Sequence, residues 1–267
     1  MTHSMDFSAV AVIPAHLASV RFPGKILANI NGLPMIEHVR RRALLSPFLD
    51  KVVVATCNEE ISEVVRGFGG DVILTSSKHR NGTSRVAEAI DSINCSHVVL
   101  VQGDEPLLLS RHVDQLVTSM KAEPSIQAWN ATAPIISAAD LDRHSFVKCV
   151  ISSSDRVIYC FRRSPCYSSP NHQFKFIRKI LGLIAFRKDF LLSFDSLSAS
   201  YVEQYESIEQ MRIIENGFTL KSISVEPTLP SVNEPEDLDI VLDYLKNNPE
   251  QEYLLDFVLN QFDRSAC

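Results

Sequence analysis

The stretch that decides the fold is His97-Val-Val-Leu-Val101-Gln-Gly-Asp-Glu-Pro106. The apolar run reads as a buried strand. Gly103 lets the backbone turn sharply after it, and Pro106 prevents the strand from continuing. Two carboxylates, Asp104 and Glu105, are thereby presented at the carboxyl end of a strand, where open α/β sheets bind ligands. A carboxylate there can hold a hard divalent cation against a phosphate. The same residues also fit a plain acidic turn, so the neighbouring segments have to decide.

Working outward, the first half alternates regularly. Strands are predicted at 9–14, 51–56, 71–74 and 97–101, with helices at 33–45, 59–68, 84–93 and 111–121 between and after them. Val- and Ile-rich runs separated by helical patterns predict βαβ units and a mostly parallel sheet. From about Ile126 the pattern changes. Runs at 146–151 and 156–161 flank the polar turn Ser152-Ser-Ser-Asp155 and look like a hairpin. Residues 164–171 are rich in Ser and Pro and read as a loop, and 181–186 as a strand. A helical period through Val202, Tyr205, Ile208, Met211 and Arg212 predicts one helix over 201–215. Another is predicted over 234–245 with Pro235 in its first turn, and a short one over 251–262.

Bulk properties narrow the function. Lys and Arg number 26 against 32 acids, a net charge of −6, with no obviously basic face, which argues against a nucleic-acid partner. No apolar run reaches membrane-spanning length, and Met1-Thr-His-Ser-Met-Asp6 lacks a signal-peptide pattern, so no membrane association and a cytoplasmic location are expected. The six cysteines, Cys57, Cys95, Cys149, Cys160, Cys166 and Cys267, form no C-x-x-C pair, and several lie in strand-like runs. They read as free thiols rather than a zinc site or a disulfide framework.

Two further segments carry chemistry. After the first strand comes Pro14-Ala-His-Leu-Ala-Ser-Val-Arg-Phe-Pro-Gly-Lys25, in which small residues, Arg21, Gly24 and Lys25 suit a polyphosphate. The spacing is neither that of a Walker loop nor that of the Rossmann glycine fingerprint. A solvated basic loop fits it as well. The second, Asn81-Gly-Thr-Ser-Arg85, opens the helix after the third strand. Helix N-termini bind anions and polar ligand edges, although Thr83 or Ser84 also fits a simple N-cap.

In this order, Pro14-Ala…Ser19-x-Arg21-x-Pro-Gly-Lys25, Gly82-Thr-x-Arg85 and Gln102-Gly-Asp-Glu-Pro106 resemble the CMP-Kdo synthetases, the 3-deoxy-manno-octulosonate (Kdo) cytidylyltransferases. The resemblance continues through Val147-Lys148, Arg162, Glu206-x-x-Glu209-Gln210-x-Arg212 and Glu234-Pro-Glu-Asp-Leu238, over roughly 8–245. It implies a nucleotidyltransferase-type, Rossmann-like α/β fold. A mostly parallel sheet is flanked by helices and joined by a smaller β-rich lobe for dimerisation and sugar binding. The implied organisation is one domain over 1–247, comprising a nucleotide-binding half (8–125), a mixed acceptor and dimer lobe (126–232) and a closing helix (233–247). A helical tail follows at 248–267.

The resemblance also implies a homodimer that transfers CMP from CTP to a 2-keto-3-deoxy sugar acid, Kdo most simply, for lipopolysaccharide synthesis. Mg²⁺ is the implied cofactor and pyrophosphate the by-product. Catalysis would be mainly positioning and charge neutralisation. Lys25, Arg21 and Asp104 are the implied catalytic residues, with Asp104 and Asn233 holding the metal. Ala15, Arg21, Lys25, Gly82, Thr83, Arg85 and Gln102 are implied to bind the nucleotide. Arg85, Gln102, Glu209, Gln210 and Arg212 are implied to bind the acceptor or support its pocket.

The chain departs from the family pattern in places. Pro-Ala-Arg becomes Pro14-Ala15-His16, and the acid of Gly-Thr-[Asp/Glu]-Arg becomes Ser84. Ala-Thr-Asp becomes Ala55-Thr56-Cys57. His-Ile-Gly-Ile-Tyr becomes Ile180-Leu-Gly-Leu-Ile184, and Val-Asp becomes Val232-Asn233, which keeps a ligating oxygen but loses a charge. The leaving-group end is largely retained, whereas the acceptor end has lost polar contacts. A different acidic acceptor, or a weakly active nucleotide-binding paralogue, are the alternatives these changes raise.

Overall fold

A computed structural model describes residues 7–79 and 81–260. The chain forms two compact units, one joining the residues up to Asp114 with those from Leu229 onward, the other spanning Gln115–Thr228. In chain order the first unit begins with β1 (Ala9–Ala15), a 3-10 turn at Lys25–Leu27, the short strands β2 (Asn29–Ile30) and β3 (Leu33–Pro34), and α1 (Met35–Ala43). It continues with β4 (Lys51–Thr56), α2 (Glu59–Gly67), β5 (Asp71–Leu74), α3 (Gly82–Asp91) and β6 (His97–Val101). Next comes α4 (Ser110–Ala122), which leads into the second unit.

The strands of the first unit lie side by side in the order β6-β1-β4-β5, all parallel. Every residue of β1 is buried, and Ala11 is in register with Val99 on one side and Val52 on the other. Small and β-branched residues recur because a central parallel strand has helices over both faces and no solvent side. The predicted alternation of strands and helices is found here. One boundary shifts: Leu33 and Pro34 pair with Ile30 and Asn29 as a hairpin across the left-handed Asn31-Gly32 turn, so the helix begins only at Met35.

Helix α1 is buried on every side, charged residues included. Glu37 accepts two 2.7 Å bonds from Arg40 and a third from Arg41, so its buried carboxylate is compensated. Arg41 also donates to the carbonyl of Val258 at 2.8 Å, in a helix from the far end of the chain.

The second unit contains β7 (Ala128–Pro134), α5 (Ala138–Asp142), β8 (Lys148–Ile151), β9 (Val157–Phe161), α6 (Pro170–Gln173) and β10 (Ile177–Arg187). It ends with α7 (Lys188–Ser193), α8 (Tyr201–Glu206), α9 (Gln210–Glu215) and β11 (Leu220–Ser224). Strand β7 is parallel to β11 and antiparallel to β10, which in turn pairs with the β8–β9 hairpin. Strand β10 is irregular. Ile180 opposes Thr132 and Ile184 opposes Asn130, so 181–183 bulge against Ala131 alone.

Two sequence expectations are corrected. The helix predicted over 201–215 is broken, because Ser207 takes a left-handed conformation (φ 54°) that ends α8. Arg162 fixes that break by donating to the carbonyls of Glu206 and Ser207 as well as His144. Tyr201 and Tyr205 consequently face solvent, while Ile208 and Met211 are buried. Back in the first unit, α10 runs Asp237–Asn247 and α11 Pro249–Asn260. Pro235 precedes α10 rather than occupying its first turn. The Asp237 carboxylate turns back to accept from the amides of Asn233 (2.7 Å) and Glu234 (2.9 Å), making a separate turn there. The last residues of the predicted tail, Cys267 among them, and the N-terminal Met1–Asp6 segment lie outside the described residues.

Candidate active site

The first strand ends at Ala15, and the chain enters an exposed loop that closes when Gly24, at φ 74°, donates its amide to the carbonyl of Leu17 at 2.9 Å. The side chain of Asn58 accepts from the Leu17 amide and pins the loop to the end of β4. Past the glycine, the 3-10 turn carries Lys25 inward. Its side chain is almost wholly buried, and Nζ donates to Asp104 Oδ2 at 2.6 Å and to the carbonyl of Val232 at 2.8 Å. Val232 in turn donates its amide to the carbonyl of Asp104. A lysine from the first loop, an aspartate after β6 and a backbone turn before α10 therefore form one closed contact.

Backbone packing makes this possible. A Cβ on Gly103 would meet Ile26 Cδ1 at 2.9 Å and the Pro14 carbonyl at 3.2 Å, so a larger residue would force the turn after β6 and its neighbours to shift. Gly82 is nearly as tight, 3.1 Å from Pro14 Cγ. Asn81, rather than Thr83 or Ser84, caps α3 by accepting from the Ser84 amide at 2.9 Å. The alternative of a cap at Thr83 or Ser84 falls two or three residues late, because Asn81 precedes a glycine that already belongs to the helix.

A cleft of about 550 Å³ opens over these strand ends. Lys25, Gly82, Arg85, Gln102 and Asp104 line it, as do His16 and Cys57. Arg85 is buried and donates to Thr75 Oγ1 at 2.6 Å. Burial, and secondarily the cations Arg85 and Lys25, hold the pKa of His16 below the ordinary histidine range. Lys25 and Arg85 are the lysine and arginine side chains that line the cleft with it. Ala15 is buried in β1, its neighbours Pro14 and His16 facing the cleft instead, and Thr83 is buried in the first turn of α3. Arg21 lies outside the lining. It is half-exposed and donates to Asn233 Oδ1 at 3.0 Å, with Glu234 3.6 Å away. His79, which no motif in the sequence marks, lines the cleft and bonds Ser84 and Glu88.

The three remaining expected residues belong to the second unit. Glu209 precedes α9 at its N-cap, Gln210 Nε2 donates to Asn130 Oδ1 at 3.1 Å, and Arg212 forms a bidentate pair with Glu203 at 2.7 and 2.6 Å. Arg212 also stacks over Phe194. Its guanidinium is engaged in joining α8 to α9.

Comparison with known proteins bears on this arrangement. The cytidylyltransferase family pattern matches residues 10–223. A 3-deoxy-manno-octulosonate cytidylyltransferase of Geobacter metallireducens is 37% identical over 249 residues, 88% of this chain and 96% of that protein. One of Chlamydia felis is 39% identical over 238 residues, 88% and 93% of the two chains. A solved CMP:2-keto-3-deoxy-manno-octonic acid synthetase complexed with CTP superposes with a TM-score of 0.84 at 34% identity, covering 90% of this chain and 98% of that one.

The chain belongs to the 3-deoxy-manno-octulosonate cytidylyltransferase family. It is a nucleotidyltransferase with the nucleotidyltransferase-type α/β fold expected from its sequence. Among the described residues of this cytidylyltransferase no helix is long and apolar enough to cross a membrane.

The donor set of this cytidylyltransferase suits a hard cation shared with a ligand. Among its described residues no three His, Cys, Asp or Glu side chains converge as a protein-only metal cage. Asp104 instead offers a partly exposed carboxylate at the cleft, with one oxygen engaged by Lys25. Mg²⁺ is commonly bound in this way, by one or two protein oxygens plus substrate phosphates. The neutral amide oxygen of Asn233 accepts from Arg21.

Proposed function

We propose that this enzyme transfers CMP from CTP to a 2-keto-3-deoxy sugar acid, Kdo in the first instance, releasing pyrophosphate with Mg²⁺ as cofactor. The observation that carries the reading is the Lys25–Asp104 contact at the strand ends, beside Arg85 and Gln102 in one cleft. The relatives named for the same reaction, and the neighbour complexed with CTP, support it. In the reaction the anomeric oxygen loses its proton to solvent and forms a bond to the α-phosphorus while the bond to the departing pyrophosphate breaks. The cytosine end lies against Gly82 and Thr83. The α3 N-terminus and Arg85 favour the anionic parts of the substrates.

Lys25 exchanges Asp104 for phosphate oxygens and neutralises charge on the leaving group, and Arg21 swings from Asn233 to do the same. Asp104 and Asn233 would hold Mg²⁺, whose contribution is charge neutralisation on the phosphates. Glu209 and Gln210 face the acceptor, and Arg212 supports them through Glu203. The protein is proposed to work in the cytoplasm as a homodimer.

The test is pyrophosphate release from CTP and Mg²⁺ with Kdo, beside a no-acceptor control and Asp104→Ala. Release that requires Kdo and disappears in the variant is expected. Bound CTP without release would sink the reading and leave a nucleotide-binding role.

A second reading, a different acidic acceptor, is favoured by Ile180 and Ile184. Both flank the β10 bulge, and neither can hydrogen-bond a hydroxyl. Replacing Ile180→His and Ile184→Tyr together and assaying Kdo tests it. A gain in Kdo turnover is expected if these residues set the choice, whereas no gain removes this account of specificity.

A further inference from the structure

Asn130 sits in the middle of β7, in the second unit, and is fully buried. Its Nδ2 donates to three backbone carbonyls: Ala131 at 2.9 Å, Leu181 at 3.0 Å and Leu183 at 3.2 Å. Leu181 and Leu183 are the two ends of the β10 bulge. Bulges leave ladder carbonyls without their usual partners and re-aim the side chains beside them. The two N–H groups of one asparagine amide are shared among these carbonyls, and the paired residues flanking the bulge are Ile180 and Ile184.

The other end of the same amide faces α9. Asn130 Oδ1 accepts from Gln210 Nε2 at 3.1 Å. The orientation is forced, since a flipped Asn130 would turn its oxygen towards three carbonyl oxygens. Gln210 is then forced as well, with its NH₂ on Asn130. Its Oε1 takes no hydrogen bond among the described residues and is the end left for a ligand. A carbonyl oxygen accepts from a hydroxyl and repels a carboxylate. This position therefore reads a hydroxyl of a polyhydroxylated acid and not its acid group.

We infer that Asn130 is a positioning residue for the acceptor, which holds the β10 bulge and orients Gln210 with its oxygen towards the sugar. The inference rests on the reading of Gln210 as an acceptor contact. Nothing in the sequence marked it, because an asparagine inside an apolar strand reads only as a polar interruption.

The test is a double-mutant cycle of Asn130→Ala and Gln210→Ala, reading KM for Kdo, KM for CTP and kcat by pyrophosphate release. Each single variant is expected to raise the Kdo KM about tenfold, the value of one lost hydrogen bond, with the CTP KM unchanged. Asn130→Ala added to Gln210→Ala is expected to cost less than about twofold more, because both act through one contact. Asn130→Ser retains one donor and one acceptor and should fall between. It carries the same cycle if Asn130→Ala does not fold.

Additive effects, or equal rises in both KM values, overturn the positioning role while leaving Gln210 as an acceptor contact. A Gln210→Ala enzyme with an unchanged Kdo KM removes the reading of Gln210, and this inference with it.

Discussion

Lys25 Nζ lies 2.6 Å from Asp104 Oδ2 and 2.8 Å from the carbonyl of Val232, so the cation expected to meet the triphosphate is held in place before any substrate arrives. Preorganised charge is effective because little has to move or desolvate when charge develops on the leaving group. Lys25→Met is therefore expected to lower kcat by about 10²–10³-fold, the range seen for one lost preorganised donor. Turnover by pyrophosphate release, with CTP binding by calorimetry alongside, checks it. A fall of only a few-fold would mean that Arg21 or Arg85 carries the leaving-group charge.

Asn233 supplies an oxygen without a charge, and that oxygen is bonded to Arg21. Asn233→Asp adds a carboxylate near Asp104's end of the site and should strengthen divalent binding. The Mg²⁺ concentration for half-maximal activity is expected to drop by about three- to tenfold in the variant, an electrostatic effect of one added charge. A magnesium titration of initial rates reads this directly. An unchanged titration would place Asn233 outside the metal site.

Gly103 and Gly82 make a graded pair. Gly103→Ala forces a Cβ to 2.9 Å of Ile26 and 3.2 Å of a backbone carbonyl that has no rotamer to change. A loss of about 1–3 kcal/mol is expected, as for other overpacked sites, visible as a lower Tm. Gly82→Ala meets Pro14 Cγ at 3.1 Å and is expected to cost less stability while raising the CTP KM, because it lies in the cleft lining. Thermal melts of the two variants rank them, and the reverse order would contradict this account of the strand-end packing.

His38 is fully buried in α1, its Nε2 2.8 Å from the carbonyl of Ile30, and burial lowers its pKa to about 4. Between that value and the ordinary 6.5 the unfolded chain binds the proton and the folded chain does not. Stability from this residue is thus fully present above about pH 6.5 and is lost as pH falls towards 4, by roughly 3 kcal/mol in all. His38→Gln keeps a donor for Ile30 without a titrating group. It is expected to flatten the pH dependence of urea unfolding over that window, and an unchanged slope would assign the acid sensitivity elsewhere.

What the sequence by itself determined is local and periodic. Val-Ile runs of strand length, each ended by glycine, small or polar residues, specify parallel strands whose carboxyl ends carry chemistry. His97–Pro106 was enough to place Asp104 at such an end, and the loop and helix singled out with it bring Lys25 and Arg85 to the lining of the same cleft. The break at Ser207 was missed because it is a change of backbone hand at one residue, inside a pattern whose apolar period continues across it. The hairpin at Asn31-Gly32 carries a local turn signal, which the helical period beginning at Leu33 obscured.

What only the tertiary structure decided depends on contacts between residues far apart in the chain. Lys25 meets Val232 across 207 positions and Arg21 meets Asn233 across 212, pairings that no local spacing encodes. Asn130 binds Leu181, Leu183 and Gln210 at separations of 51, 53 and 80. A polar side chain buried in a strand must satisfy every donor and acceptor it owns. Where those partners come from is settled only when distant strands and helices pack.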